Sequence, residues 1–219
     1  MSNPDGLLAG PMHTCVMNYR ITRLAGGVPP GRPRSTDATD AVRKASLDLA
    51  YECGIGGATV ELISLRSGVA KTTIYRRWPN AAAVLMDAFL TEISPTIAYR
   101  EHASIVDTFK YAASQLIVAL SGQRGRLLCQ LLGASQSDDE LRQAFWNRWI
   151  EPRRKEGAEF LVRAQKRGEL RASVNFDVLL DVIFGAIYYR LTIPYAPLDD
   201  QYIHVLIDQV FAGLLTEKG

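Results

Sequence analysis

Cysteine and histidine are scarce in this 219-residue chain, three of each, and neither set is grouped. Cys15, Cys53 and Cys129 are odd in number and widely separated. That excludes a disulfide framework and suits a reducing compartment. His13, His102 and His204 are scattered, and the one close pairing, His13-x-Cys15, falls in a Gly- and Pro-rich tail. No Glu-x-x-His pair of the di-iron type occurs. Gly122 and Gly125 lack the Lys of a phosphate-binding loop, and no Ser nucleophile motif is present. Neither metal nor cofactor is expected, and these absences point away from an enzyme. Long apolar runs are missing too. The longest, 178–193, is broken by Asp181 and Arg190, short of the roughly eighteen residues that suggest a membrane span. No apolar segment of signal-peptide form precedes the first helix, so a cytoplasmic protein without membrane contact is expected.

Net charge is only +2, yet it is uneven. Residues 1–80 carry ten Lys/Arg against six Asp/Glu, and the remainder fifteen against seventeen. A basic front and a faintly acidic back suit a nucleic-acid-binding module joined to something else. Residues 1–34 have recurrent Pro and Gly without apolar periodicity, so a disordered arm is expected there. The arm ends in Gly31-Arg32-Pro33-Arg34, two arginines on a stiff extended backbone. Such a segment can lie in a narrow minor groove, whose negative potential attracts Arg. The competing reading is a solubilising linker.

Another absence is more informative. Between Glu61 and Asp87 there is no acidic residue, while Arg66, Lys71, Arg76 and Arg77 all fall there. Over 59–80 the spacing predicts two short helices joined by a tight turn. Leu62, Ile63, Leu65, Val69 and Ile74 are placed to bury one face. Gly68 stands where the bend can require a left-handed backbone angle. Thr59 is positioned to cap the first helix. The second helix, 71–78, opens with Lys71, Thr72 and Thr73. A helix-turn-helix lays its second helix in the DNA major groove, with first-turn side chains at base edges. Lys can donate to guanine, and Thr offers a hydroxyl and a methyl. The spacing alone also fits an αα-corner with a solvated basic face. Ahead of it, Ala38, Ala41, Val42, Ala45 and Leu49 predict a supporting helix over 37–53 that ends at Gly54.

Taken in register from residue 45 to residue 80, Ala45, Leu49, Gly54, Thr59, Ile63, Gly68-Val69, Thr73-Ile74-Tyr75-Arg76 and Trp78-Pro79-Asn80 resemble the N-terminal domain of the TetR family of bacterial transcriptional regulators. The resemblance implies an all-α homodimer, with about nine helices in each chain. It implies a three-helix DNA-binding head with a helix-turn-helix over 35–80, and a larger ligand-binding and dimerisation body over 81–219. It further implies that Lys71, Thr72 and Thr73 meet base edges, Tyr75 and Arg77 meet phosphates, and Arg76 meets either. Thr59 would add a phosphate contact, and Arg32 and Arg34 of the arm would join the interface. Three departures stand out. Thr59 is followed by Val60 where the family usually has a second hydroxyl. Ala70 replaces the Ser that usually caps the recognition helix, a loss of roughly 1 kcal/mol. Asn80-Ala81-Ala82 replaces a polar-Lys-Glu start of helix four, and losing that Lys should flatten the salt slope by about one unit.

From residue 80 onward the pattern is helix after helix: 80–93, 104–120, 124–134, a long helix from Asp138 to near Gly168, then 176–193 and 199–215. In the family, helix four is the lever between ligand and head. Pro152 predicts a kink or break in the long helix. Arg153-Arg154-Lys155, flanked by Glu151 and Glu156, reads as a solvated face. An effector pocket is expected with walls from Phe89, Phe109, Leu116, Leu120, Leu132, Trp146, Trp149, Phe184 and Tyr188. Tyr188, Gln115, Gln130 and Asn147 are its candidate polar groups, and the effector would be an apolar or aromatic small molecule. The last two helices are apolar on more than one side. Val182, Ile183, Ala186, Ile187, Leu206, Val210, Phe211 and Leu214 are expected to form a two-fold dimer face, the rival being a large monomeric core. The combined reading is a repressor that leaves double-stranded operator DNA when a small apolar ligand binds. Its rivals are a ligand-independent regulator with a filled body, and a small-molecule-binding helical protein with a vestigial head.

Overall fold

In the computed structural model, residues 34–219 form one compact unit, and residues 35–94 and 98–216 are described here. Arg32 and Arg34 lie outside the described residues, as does Pro95, the expected stop of helix four. The helices are α1 (Ser35–Cys53), α2 (Val60–Ser67), α3 (Lys71–Tyr75), α4 (Ala81–Ile93) and α5 (Ile105–Ala119). They continue as α6 (Gln123–Ser135), α7 (Asp139–Phe145), α8 (Glu151–Lys166), α9 (Phe176–Thr192) and α10 (Asp200–Phe211). A π-helical turn, Trp146–Ile150, joins α7 to α8 without a break, so the described residues make nine helical rods.

Short polar side chains set most of the helix starts. Asn80, Ser104, Asp138, Asn175 and Asp199 each accept a hydrogen bond from a backbone N–H of the first turn. Gly54 and Gly168 end α1 and α8 with positive φ, 73° and 76°, which glycine adopts without steric cost. Between them, the apolar faces decide the packing. α4 is buried nearly all round: Val84, Leu85, Met86, Ala88, Phe89, Leu90 and Ile93 are each at most 1% exposed. It packs against α1 on one side and against α6 and α7 on the other, so it joins α1–α3 to the rest.

Four expectations need correction. Pro152 neither breaks nor ends the long helix. It follows directly on the π-helical turn, where Glu151 N–H bonds back to Trp146 C=O, so the bonding register already shifts at the position where the proline N–H is missing. α10 stops at Phe211, not near 215, because the following residues bond elsewhere. Leu170 and Leu215 form an antiparallel bridge, with Arg171 N–H donating to Leu214 C=O and Thr216 N–H to Glu169 C=O, each at 3.0 Å. Leu65 is 70% exposed, because in so short a helix Val60 and Ile63 define the inward face. Arg153 and Arg154 are not a solvated face, as described below.

Candidate DNA interface, linking carboxylate and effector cavity

Thr59 caps α2 as expected, its hydroxyl accepting from Leu62 N–H at 3.3 Å. The turn rests on Gly68, φ 70°, where any side chain would be strained although space is open. Ser64 stabilises the same turn by donating to Val69 C=O at 2.7 Å, and Ser67 Oγ accepts from Val69 N–H. α3 then begins at Ala70 with no side-chain cap. Ile74 is fully buried and Trp78 7% exposed, one turn apart on the inner face. Lys71, Thr72, Tyr75, Arg76 and Arg77 are exposed, and Thr73 is half-buried. The helical bonding loosens after Tyr75, earlier than the sequence suggests, since Pro79 disfavours helical geometry at Trp78.

The basic side chains of this face are not equally available. Lys71 Nζ lies 3.3 Å from Glu61 Oε1, in an exposed pair of the kind worth little. Arg66 holds Glu52 through two bonds of 2.8 Å. Arg77 turns back, donating to Thr39 of α1 and lying over the Trp78 ring. Arg76 has no ion pair among the described residues.

Behind α3 sits a carboxylate that sequence reasoning missed. Asp87 of α4 accepts from Arg43 Nε of α1 at 2.8 Å and from Trp78 Nε1 at 3.1 Å. Its other oxygen accepts from Arg148 of the π-helical turn at 2.5 Å. Burial alone would raise the Asp87 carboxyl, but the bonds from Arg43 and Arg148 outweigh it and hold it below the usual range. A polar cleft of about 400 Å³ opens beside it, between Trp78, Asn80, Asp138 and Arg148.

A second cavity, of about 370 Å³, lies among α5, α8 and α9. Of the expected walls, Leu116, Trp149, Phe184 and Tyr188 line it. Phe89, Phe109 and Leu120 do not; they are plain core, each at most 2% exposed. Leu132 packs on the core elsewhere, and Trp146 points outward at 44% exposure. Gln130 instead accepts from Ile55 N–H, and Asn147 from Gln143. The unforeseen polar lining groups are Tyr99, Arg153, Arg154 and Asp181. Arg153 stacks 3.5 Å over the Trp149 ring and donates to Trp149 C=O and Ser94 C=O. Trp149 Nε1 donates to Tyr188 Oη at 2.6 Å. Burial pushes the Tyr188 phenol up to about 12, against the opposing bond from Trp149. Arg154 pairs with Asp177 and Asp181.

The expected dimer residues divide along the helix faces. Ile183, Ile187 and Phe211 are buried within the single chain, at most 1% exposed, and cannot meet a partner. Leu206, Val210 and Leu214 are half-buried against the same core, and Ala186 is half-buried. Val182 is 48% exposed and shares an outward stripe of α9 with Val178 and Tyr189, and Ile193 just past the helix end is exposed as well. Among the described residues, no helix is long and apolar enough to cross a membrane.

Comparison with known proteins gives the family of this fold. Residues 102–210 match the family model of the tetracycline repressor-like C-terminal domain. An uncharacterised HTH-type transcriptional regulator of Bacillus subtilis, YdeS, is 34% identical over 184 residues, covering 84% of this chain and 93% of that protein. The DNA-binding transcriptional repressor TetR of Mycobacteroides abscessus is 26% identical over 189 residues, 83% of this chain and 96% of that one. Among solved structures, the TetR-family regulator SCO0332 superposes with a TM-score of 0.68 at 30% identity, over 81% of this chain and 98% of that one. The protein is a member of the TetR family of helix-turn-helix transcriptional regulators.

Proposed function

We propose that this regulator is a homodimeric repressor that reads operator DNA with α3 and releases it when a small molecule fills the α5–α8–α9 cavity. One observation carries the reading. α3 is seated by Ile74 and Trp78 and turns Lys71, Thr72, Tyr75 and Arg76 outward on one face without an acidic residue of its own. Lys71 and Thr72 suit base edges, and Tyr75 and Arg76 suit phosphates or bases. Breaking the exposed Lys71–Glu61 pair costs little, so Lys71 is available to DNA. Arg77 first has to leave Thr39, which makes it the weaker of the expected phosphate contacts.

The switch follows from two neighbouring residues on the π-helical turn. Trp149 walls the cavity, and Arg148 holds Asp87. Asp87 in turn holds Trp78 at the end of α3 and Arg43 on α1. A ligand that displaces Trp149 therefore moves Arg148 and shifts the support of the recognition helix. A coupling of about 1–3 kcal/mol between cavity and operator is enough for regulation.

Selection from a random duplex library tests the reading. The full chain should enrich a near-palindrome with half-sites about one helical turn, or a multiple, apart. Enrichment of no motif would favour a small-molecule-binding protein with a vestigial head.

A further inference from the structure

We infer that the cavity selects an apolar molecule bearing a carboxylate, recognised by Arg153 and by the hydroxyls of Tyr99 and Tyr188. The inference rests on the cavity being the effector site and adds the charge of the effector. Its basis is a set of donors without acceptors. Arg153 spends two N–H groups on backbone carbonyls, while its Nε is buried with no partner. The Tyr99 hydroxyl is also buried and unpartnered, in a residue 8% exposed. Tyr188 accepts from Trp149 and keeps its own proton to donate.

Tyr99 is built into this place. It stacks on Phe160 and meets Phe109 edge-on, and a Cβ at Gly157 would come within 2.6 Å of its hydroxyl oxygen. Gly157 therefore permits the seat. A buried donor without an acceptor costs on the order of 1–3 kcal/mol, and more when charged.

Charge gives the sign of the missing partner. Two guanidiniums and one carboxylate line the cavity. Arg154 already pairs with Asp181 and Asp177, which leaves Arg153 without a carboxylate partner among the described residues. Burial lowers the tendency of Arg153 to carry its charge, yet a guanidinium stays protonated in proteins. Glu156, three positions along α8, acts on Arg153 only through its field, outside ion-pair distance, so a cation is disfavoured and a neutral ligand leaves Arg153 without a bonded counter-charge. A carboxylate can accept from donors of this kind lining one cavity, and its bond to the guanidinium is the stronger, charge-assisted one. The rest of the lining, including Ala112, Leu116, Leu180 and Phe184, is apolar and suits a hydrocarbon or aromatic tail. A volume of about 370 Å³ limits that tail to a compact one.

The test is calorimetric titration of the full chain, without DNA, with 2-naphthoate, 4-phenylbutyrate and decanoate, each against its carboxamide. At least one acid should bind about tenfold or more tightly than its amide, the loss expected for a charge-assisted bond. Arg153→Met should remove that preference by weakening the acid more than the amide, and Arg153→Lys should restore part of it. If Arg153→Met fails to fold, Tyr99→Phe and Arg153→Lys carry the comparison, each reducing the preference. Equal binding of acids and amides, a preference that survives in Arg153→Met, or no acid binding at millimolar concentration would overturn the inference. Acid preference without operator preference would uphold this site and sink the regulator reading. Operator preference without acid preference would do the reverse.

Discussion

Asp87 shows what one side chain does in this molecule. A single carboxylate, 13% exposed, satisfies donors from α1, from the end of α3 and from the π-helical turn. Asp87→Asn keeps one acceptor oxygen but removes the charge that faces two guanidiniums, of which only Arg43 has a second carboxylate, Asp40. Asp87→Asn should cost about 2–4 kcal/mol in urea unfolding, most of it from uncompensated charge. The pH dependence has a definite sign. The folded carboxyl sits below the ordinary aspartate value of 3.8, so the unfolded chain takes up the proton more readily. Its contribution is complete above that value and is lost as pH falls through the lower folded one. The urea midpoint of the native protein should therefore fall below about pH 4 more steeply than that of Asp87→Asn. None of this is legible in the sequence. Asp87 looks like an exposed charge on an apolar helix, because its partners lie nine, forty-four and sixty-one positions away. Arg153 misleads in the same way: its acidic neighbours suggest solvent, while its burial depends on Tyr99, Trp149 and α9.

At the scale of elements, local signals were dependable. Every helix predicted from apolar spacing is present, and Thr59, Asn80 and Asp138 cap where short polar side chains precede an apolar stripe. Ends set by distant pairing were not readable, as the early stop of α10 against residues 169–171 shows. α3 is the weakest start. Ala70 has the extended geometry of a cap, φ −59° and ψ 140°, without a side chain that can accept. Ala70→Ser should stabilise the chain by about 1 kcal/mol, seen as a rise of a few degrees in the melting midpoint. An unchanged midpoint would mean that the first turn of α3 already bonds to water at no cost. The π-helical turn supplies the second prediction at this scale. Arg148→Met removes the link to Asp87 but leaves Trp149 in the cavity wall. An acid that weakens operator binding of the native protein should still bind this variant, with its effect on DNA cut at least about fivefold, the low end of allosteric couplings. A full effect on DNA in Arg148→Met would place the coupling elsewhere.

For the molecule as a whole, the apolar surface left on one side is the main argument for a second copy. Val178, Val182 and Tyr189 on α9, Ile193 and Tyr195 just beyond it, and Val205 on α10 are each between 48% and 62% exposed. The sequence marked these two helices as too apolar for one chain. It does not say which stripe faces out, since both helices are apolar on more than one side, and within one chain Ile183, Ile187 and Phe211 turn into the core. Val182→Glu should convert the protein to a monomer in sedimentation velocity and weaken operator binding through loss of the paired heads. A dimer that survives this change would use another surface. The measurement that decides most is fluorescence anisotropy of the full chain on the duplex upstream of its own gene and on the same bases scrambled, at two salt concentrations. An operator reader should prefer the first by about a thousandfold or more, with Lys71→Ala erasing most of the preference. Equal, steeply salt-dependent binding to both duplexes, unchanged by Lys71→Ala, would contradict the assignment of α3 as the reading helix.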